Sequence, residues 1–552
     1  MSASAAIPGL YYTLVRPKAE PSPLRTDVAG FIGQTLRGPV ARPRADHCTD
    51  CKHLQPLGCS CLHETTRVEG WRKAATIFGG LTQQGMTSYA LRGYFENGGD
   101  VAHVLRLLGK NSLTALATLS LGTFDAVANK LDPDWPGTSD FEHIQFKVEA
   151  SSPGDWANDV TVTVRYWAKG ASGSPEVEVE ISTPQEGVEI LSGISPKTIG
   201  KEVDAQSAYI RLTGIELPPT LPMLQLHSAN GPGYREWGPI RLSGGTSISP
   251  SKQDYLDAIE ILGDQVEVAL VSCPDLYTNL PGDEDQEQIL TELLNQAEEL
   301  HDRMVLIDVP TAKAEPVVAR DWVQSTFRDV LKNEKILRNG AVYHPRLMVP
   351  DPLGGTTNPL RCVPCCGLVA GVISRLDRQL GPYYTPANAE IDEAVDLSRS
   401  LSADDQAILY SGGLNILRCS PGQGLLVWGG RVLGQDALGT PVAHRRLIHL
   451  LVRAIHRVAD PLVFDTNGPQ LWLAFTRSIT SVLLQAYRAG ALKGARPHEA
   501  FHITCDSTTN PPEQIDQGMV VCNIDVAPAF PMEFIHLRVA VSSEGKLEVF
   551  ES

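Results

Sequence analysis

The sequence contains neither a long apolar segment nor the pattern of a secretory leader. No apolar run reaches the ~18 residues of a membrane-spanning helix, so direct membrane insertion is not expected. The first residues do not combine a basic region with an apolar block, as a signal peptide does. We therefore expect synthesis in a cytoplasm, where most of the 11 cysteines would stay reduced.

Catalytic motifs are missing as well. The sequence has no G-x-x-x-x-G-K-[ST] loop, no H-E-x-x-H and no G-x-S-x-G. His502 and Cys505 lie three positions apart on a predicted strand, so their side chains would point to opposite faces and could not act as a pair. We predict no catalytic residue and expect a protein that is not an enzyme.

The sequence is short of positive charge. There are 47 Lys and Arg against 64 Asp and Glu, and the net charge of −17 argues against binding to nucleic acid. The basic residues concentrate in 1–44 and 442–496, whereas acidic residues dominate the middle of the chain. This distribution favours subunits that attract one another or an acidic partner; the alternative is an uneven distribution without function.

Cysteine is most concentrated near the N-terminus. Residues 47–63 hold four cysteines and three histidines. Cys48, Cys51, Cys59 and Cys61 would supply the four thiolates of a closed tetrahedral zinc site, although the second pair is C-x-C rather than C-x2-C. One of the histidines at 47, 53 and 63 could replace a thiolate. Such a site has no open position for water, so the zinc would be structural. Free cysteines in a loop and disulfides formed outside the cell are the two alternatives.

A second group of cysteines lies in RCVPCCGLVAG, at Cys362, Cys365 and Cys366. It resembles half of a metal site without a second half. We interpret these residues as buried thiols at a turn from strand to helix.

The hydrophobic pattern changes along the chain and predicts a mixed α/β protein with several domains. Residues 140–245 alternate apolar and polar positions with a period of two, which is typical of an antiparallel sheet with one wet face. From about residue 250, apolar strands alternate with amphipathic helices, which predicts parallel strands joined by right-handed crossovers. The predicted parts are an N-terminal arm and linker (1–24), an N-terminal core part with the cysteine-rich loop (25–135), an inserted β-rich domain (136–248), an α/β domain (249–415), a C-terminal core domain (416–533) and a C-terminal strand arm (534–552).

Several segments, taken in order, resemble the sheath proteins of contractile phage tails and related contractile injection systems. They are VAGFIGQTLRGPV, WRKAATIFGGL, SYALRGYFENGGDVAHVLRL, VEASSPGDWANDVTVTV, VPCCGLVAGVISRLDRQLGPYYTPAN, LNILRCSPGQGLLVWGGRVL and the stretch from ALKGARPHEAF to FIHLRV. No single segment is diagnostic, but the ordered set spans nearly the whole chain. The cysteine-rich loop departs from the family pattern.

The resemblance implies a structural subunit that polymerises helically around an inner tube and contracts to drive the tube through a target envelope. The implied partners are further copies of the chain, the inner tube protein, and baseplate and terminal cap proteins. The resemblance also implies that contraction requires no cofactor. The subunit would be made in a bacterial cytoplasm and assembled into a phage tail-like particle, with the β-rich domain on its outside. The alternative is a zinc-binding structural or adhesion protein of such a particle.

A helical polymer of this kind needs links that survive sliding between subunits. Strands at the chain ends can supply them by adding to a neighbour's sheet, and the Pro-rich residues 17–24 would be a tether. Pairing of both strands within their own subunit is the alternative. The predicted arm residues are Leu10, Tyr11, Tyr12, Thr13, Leu14 and Val15 at one end, and Phe534, Ile535, His536, Leu537, Arg538 and Val539 at the other.

A sheath must also contact its tube. The helical pattern of AHRRLIHLLVRAIHRV places Arg445, His449, Arg453 and Arg457 close to one face. We predict that this face, or that of the helix at 469–490, meets an acidic tube surface, with a merely solvated face as the alternative.

Overall fold

The elements of the computed structural model fall into four groups along the chain. It describes residues 25–41, 61–62, 64–125, 130–132, 143–168, 175–184, 187–194, 199–213, 235–434, 441–459, 467–516, 519–529, 535–541 and 547–551. The N-terminal group is β1 (Ala29–Gly33), β2 (Val40–Ala41), β3 (Cys61–Leu62), β4 (Thr66–Glu69), α1 (Gly70–Phe78), α2 (Thr87–Glu96) and β5 (Val101–Arg106). The second group is β6 (Leu116–Asp125), β7 (Lys130–Asp132), β8 (His143–Ala150), β9 (Thr161–Ala168), β10 (Pro175–Thr183), β11 (Gly187–Ile194), α3 (Ile199–Gln206), β12 (Ile210–Thr213) and β13 (Arg235–Arg241).

The other two groups form the α/β part and the C-terminal part. The third is α4 (Lys252–Gly263), β14 (Leu270–Ser272), α5 (Leu276–Asn279), α6 (Asp283–Leu300), β15 (Met304–Asp308), α7 (Pro316–Val323), α8 (Glu334–Leu337), β16 (Gly340–His344), β17 (Leu347–Pro350), β18 (Leu360–Val363), α9 (Cys366–Gln379), β19 (Ala389–Glu390), β20 (Asp396–Leu397), α10 (Ala403–Ser411), β21 (Asn415–Ser420) and β22 (Gly424–Trp428). The fourth is α11 (Val442–Ala459), α12 (Pro469–Arg488), α13 (Pro497–Ala500), β23 (Phe501–Thr504), α14 (Pro512–Asp516), β24 (Val520–Val526), β25 (Ile535–Val541) and β26 (Leu547–Glu551).

A mixed sheet unites the first and third groups. Its strand order is β19-β22-β21-β16-β15-β14-β1-β5-β2-β3, with β4 beside β5. The strands from β21 to β3 run parallel, and β1 lies between β14 and β5. All five residues of β1, AGFIG, are buried, as expected for a strand that is covered on both faces. The predicted α/β class is confirmed.

Helices cover both faces of this sheet. On one face α1, α2 and α9 pack around Phe31, Tyr94 and Tyr343, and on the other α4, α6 and α7 pack around Leu262 and Phe327. Helices α2 and α9 approach closely at Gly367, where an added Cβ atom would lie only 2.6 Å from the Cα atom of Ala90. The sheet is therefore covered by helices on both faces.

The second group is a β-sandwich with its own core. One sheet has the order β11-β10-β9-β13 and the other β12-β8-β6-β7, and apolar residues such as Val164, Val179 and Ile210 are buried between them. The module begins at β6, earlier than the predicted boundary at residue 136, because β6 pairs with β8. The apolar-polar alternation is clearest after residue 140, which is why the sequence pattern placed the boundary too late.

The C-terminal boundary also differs from the prediction. Strands β21 and β22 pair with each other, and β21 pairs with β16 of the large sheet. The C-terminal body therefore begins at α11, and not at residue 416. It consists of α11 and α12 packed on the sheet β23-β24-β25-β26 around an apolar core that includes Leu451, Phe475 and Ile524.

Candidate assembly interface

Most of the predicted N-terminal and cysteine-rich site residues lie outside the described residues. This holds for Leu10, Tyr11, Tyr12, Thr13, Leu14 and Val15 of the arm, and for Cys48, Cys51 and Cys59 of the cysteine loop. Of the four proposed zinc ligands, only Cys61 is described, and its backbone pairs with Val40 in the parallel ladder of β2 and β3. The arm and the zinc site therefore stay predictions.

The predicted C-terminal arm forms part of the C-terminal sheet. Phe534 lies outside the described residues, whereas Ile535, His536, Leu537, Arg538 and Val539 belong to β25. Strand β25 is antiparallel to β24 on one side and to β26 on the other. In the single chain this segment pairs within its own subunit, and its exchange between subunits stays a prediction.

Helix α11 does not present the predicted tube-facing surface. Arg445, His449 and Arg453 are only 1%, 3% and 6% exposed, and Arg457 is half-buried. The prediction that the first three residues face a tube is wrong. Their helical spacing is real, but the face points into the subunit rather than to solvent.

The buried face of α11 lies along the amino-terminal edge of the parallel strands. Arg453 donates to the carbonyl oxygens of Arg25 and Asp302, at 2.9 and 3.0 Å, and to those of Glu267 and Val268. These residues precede β1, β15 and β14, where parallel strands leave carbonyl groups without a partner from the ladder. The guanidinium has five N–H donors in a fixed fork and satisfies several of them at once. Burial lowers the pKa of Arg453 to about 10, so the group still carries its charge at neutral pH.

Arg445 and His449 reach the start of the next strand. The Nε atom of Arg445 donates to Asn339 Oδ1 at 2.9 Å, and His449 Nε2 lies 3.3 Å from the same oxygen. Burial, followed by the charges of nearby arginines including Arg446, lowers the pKa of His449 well below its ordinary range. The imidazole is therefore neutral at physiological pH and belongs to the subunit's polar interior.

Arg446 is a central residue that sequence reasoning missed. It forms a buried ion pair with both carboxylate oxygens of Asp377 on α9 and donates to the carbonyl oxygen of Thr26 at 2.7 Å. Burial raises the pKa of Asp377, and the charge of Arg446 opposes that shift. Arg445 and Arg446 are adjacent in the sequence, but Arg445 bonds to Asn339 and Arg446 pairs with Asp377, so their roles depend on distant partners.

Helix α12 carries the exposed positive face of the C-terminal body. The helix contains no Asp or Glu. Its exposed residues recur with helical spacing and include Leu473, Arg477, Ser481, Gln485 and Arg488. A shallow groove runs along this face beside Arg477, Ser481 and Arg488. We call this surface the α12 face; it is the other helix surface that the sequence pattern indicated.

The cysteines after β18 form a buried turn. An Asp308 oxygen at the end of β15 accepts from the backbone N–H groups of Cys365 and Cys366, at 2.6 and 3.1 Å, and from the Cys365 thiol at 3.2 Å. Burial raises the pKa of the Cys365 thiol to about 11. The carboxylate thus satisfies the first N–H groups of α9, as expected for buried thiols at a turn from strand to helix.

A disulfide joins Cys505 and Cys522, which lie on neighbouring parts of the C-terminal sheet. The expectation that most cysteines stay reduced does not hold for this pair. Among the described helices, none combines the length and apolarity needed to cross a membrane.

Family models identify both large parts of the α/β and C-terminal regions. Residues 249–432 match the phage tail sheath protein central domain, and residues 440–542 match the phage tail sheath C-terminal domain, so that the two models cover about half of the chain. The gap between the matches coincides with the connection from β22 to α11.

Individual proteins give the same assignment. The tail sheath protein of Vibrio phage KVP40 is 30% identical over 191 residues, which are 33% of this chain and 27% of that protein. This chain thus spans only about a quarter of the length of that relative, and the match to the tail sheath protein of Salmonella phage ViI covers 40% of the relative.

Solved structures share the fold over nearly the whole chain. The helical sheath of the anti-feeding prophage in its contracted state gives a TM-score of 0.51 at 18% identity, covering 96% of this chain and 98% of that one. The sheath tail protein of Desulfitobacterium hafniense gives 0.56 at 11% identity, covering 97% and 100%. These likenesses show the fold, and the tandem domain matches, which cover about half of the chain, show that it belongs to the phage tail sheath family.

Proposed function

We propose that this chain is a structural sheath subunit that polymerises helically around an inner tube and contracts to drive the tube through a target envelope. The tandem match to the central and C-terminal sheath domains, on a fold shared with a sheath solved in its contracted state, carries the proposal. The subunit would act by packing and not by catalysis. It would be made in a bacterial cytoplasm and assembled into a phage tail-like particle with baseplate and terminal cap proteins.

The chain ends would link the subunits. A head-to-tail contact that does not close generates a helix, and strands added to a neighbour's sheet are held by main-chain hydrogen bonds while the bodies slide. The proposed links are residues 10–15 and β25. In the lone chain β25 lies between β24 and β26, so the proposed exchange would replace this pairing by the same pairing with a neighbouring copy. A strand edge that the exchange leaves open is an aggregation hazard in a monomer but a connection in a polymer.

The α12 face is the proposed contact with the tube. Its arginines are exposed, no carboxylate lies on the helix, and the chain as a whole carries a net charge of −17. A local positive surface on an acidic protein favours an acidic partner and disfavours contact with the protein's own acidic regions. The partner is therefore proposed to be a tube protein with an acidic outer surface.

Negative-stain electron microscopy tests the function directly. The chain is expressed alone and together with the neighbouring tail genes of its source. We expect hollow cylinders in two lengths, extended around a tube and contracted without one. A variant that lacks residues 1–24 is expected to remain a folded single subunit and to form no cylinders. Small particles of uniform size from the wild-type chain under both conditions would contradict the proposal.

The proposed structural zinc is separate from contraction. Cys48, Cys51, Cys59 and Cys61 would hold the ion in a closed site, which stabilises a loop. Metal analysis of purified particles should give about one zinc per subunit, and Cys51→Ser should abolish it without preventing assembly. Absence of zinc from the wild-type particle would leave a loop of free or disulfide-bonded cysteines.

A further inference from the structure

The backbone that leads into β1 accepts hydrogen bonds from residues on other elements of the fold. Arg25 and Thr26 are the first described residues of the chain. The carbonyl oxygen of Arg25 accepts from Arg453 Nη1 at 2.9 Å, and that of Thr26 accepts from Arg446 Nη2 at 2.7 Å. Both donors are buried guanidinium groups of α11, and charge-assisted hydrogen bonds are about twice as strong as neutral ones. Helix α11 thus grips the chain before the strand begins.

The next two carbonyl groups are held in the same way by other elements. The carbonyl oxygen of Asp27 accepts from the Tyr94 hydroxyl at 2.7 Å and from the Ser374 hydroxyl at 2.8 Å. The carbonyl oxygen of Val28 accepts from the backbone N–H of Ala269 at 2.9 Å. Four consecutive carbonyls therefore have partners on α11, α2, α9 and the segment before β14.

Side chains reinforce this grip. Arg25 forms ion pairs with Asp27 and Asp100, each at 2.8 Å, and the Thr26 hydroxyl donates to Asp377 at 2.8 Å. Asp377 is the partner of Arg446, so one buried carboxylate connects the side chain of Thr26 with the residue that holds its carbonyl. Both the backbone and the side chains of this four-residue segment are therefore bonded to neighbouring elements.

We propose that residues 25–28 form a mechanical anchor, named here the 25–28 anchor. Resting on the proposed function, it would transmit tension from residues 1–24 into α11, α9 and α2 and spare the ladder of β1. Strand β1 occupies the middle of the sheet, so a pull that separated it from β14 and β5 would split the subunit. A sheath that contracts loads its links, and the link at this end enters the body through these four residues.

The anchor makes a prediction about direction. Removing bonds that serve only the stability of the fold lowers the resistance to force by similar amounts wherever the force is applied. Removing bonds that carry load from the N-terminus lowers this resistance mainly when the force enters there. Comparing two pulling geometries on the same single chain therefore separates an anchor from ordinary packing.

Force spectroscopy on single full-length chains provides the measurement. In the first geometry, one handle is a peptide tag at the N-terminus and the other is a tag inserted after Gly355, in an exposed loop. In the control geometry, the first handle moves to the exposed turn at Asp264, so that the force bypasses the 25–28 anchor. Wild-type chain is measured in both.

Two variants weaken the anchor with little change in shape. Arg446→Met with Asp377→Asn removes the buried charges together and keeps an oxygen at 377 for Thr26. Tyr94→Phe removes one hydroxyl donor and preserves the ring. Arg477→Met, on the exposed α12 face, is the matched control. At constant force we expect extraction of the N-terminal segment to be about tenfold faster for each anchor variant, which corresponds to ~1.4 kcal/mol, and no change with Arg477→Met.

The control geometry decides the interpretation. The proposal holds if the anchor variants accelerate extraction from the N-terminus and leave rupture in the control geometry within twofold of wild type. It is overturned if both geometries weaken equally, or if the N-terminal geometry does not change. The measurement needs no polymer, so failure of the anchor is distinct from failure of the sheath function, which electron microscopy of the wild-type chain tests.

Discussion

Helices α11 and α12 are neighbours in the C-terminal body, and both are basic, yet they use their arginines in opposite ways. Arg446 and Arg453 of α11 lie within the subunit and bind a carboxylate and several backbone carbonyls. Arg477 and Arg488 of α12 lie on the surface. The same residue type therefore ties the C-terminal body to the large sheet in one helix and offers charge to a partner in the other.

The comparison shows that the junction of the two bodies is largely polar on the side of α11 that faces the sheet. The apolar residues of α11, such as Leu447 and Leu451, pack instead into the core with α12. A polar junction fixes orientation through directional bonds, whereas apolar contacts tolerate small shifts. Helix α11 thus joins the two bodies through directional bonds, while the arginines of α12 lie on a separate exposed surface.

The largest expected effect comes from breaking the buried ion pair. Arg446→Met leaves the Asp377 carboxylate buried without its partner, and such a loss costs about 3–5 kcal/mol of unfolding free energy. Denaturant unfolding followed by circular dichroism measures the change. Arg477→Met on the α12 face is the matched substitution and should stay within ~0.5 kcal/mol of wild type. Equal losses for the two variants would contradict the distinction between the helices.

A conservative change at Arg453 should have an intermediate effect. Lysine keeps the charge but cannot reproduce the fork that reaches the carbonyl oxygens of Arg25 and Asp302. We expect Arg453→Lys to lower the unfolding free energy by about 1–3 kcal/mol, while Arg488→Lys leaves it unchanged. If Arg453→Lys unfolds like wild type, charge alone holds the edge of the sheet and the geometry of the fork is irrelevant.

Acid should act on the α11 side of the comparison. His449 is buried near Arg445, Arg446 and Arg453, and its pKa in the folded chain lies well below the ordinary value of about 6.5. Below pH ~6.5 the His449 imidazole binds a proton in the unfolded chain but not in the folded chain, so the stability falls as the pH falls. His449→Gln should flatten this fall in unfolding measurements between pH 7 and 5. An unchanged pH slope would place the acid sensitivity at other groups.

The sequence predicted element types better than it predicted their surroundings. The helices α11 and α12 and the antiparallel module follow from periodicity, because 3.6- and 2-residue repeats reflect local geometry. The ordered resemblance to sheath proteins also identified the family. The repeats are visible in short stretches of chain, whereas the family resemblance depends on the order of segments along nearly the whole chain.

The orientation of α11 could not be read from the sequence, for a physical reason. A polar face has the same helical spacing whether it meets water or buried partners. Arg453 is defined by the carbonyl of Arg25, which lies 428 positions earlier, and Arg445 by Asn339, 106 positions earlier. The only sequence signal was the density of arginine on one helix without a matching acid, and that signal fits both arrangements. The face of the helix at 469–490 was the alternative prediction, and it is the one that lies on the surface.

Substitutions on the α12 face should have the smallest effect on stability and the largest effect on assembly. Arg477→Glu with Arg488→Glu should change the unfolding free energy by less than ~0.5 kcal/mol, because both side chains are exposed. Like charges opposite an acidic tube should prevent extended cylinders when the variant is expressed with the tail genes, while empty contracted cylinders still form.

Raising the salt concentration should also weaken tube binding by the wild-type chain, since exposed charges are screened. Arg477→Gln with Arg488→Gln removes attraction without adding repulsion and should give an intermediate yield of filled cylinders. Normal co-assembly of the Glu variant would exclude α12 as the tube contact. The arginines of the C-terminal body would then act only inside the subunit, where those of α11 bind the large sheet.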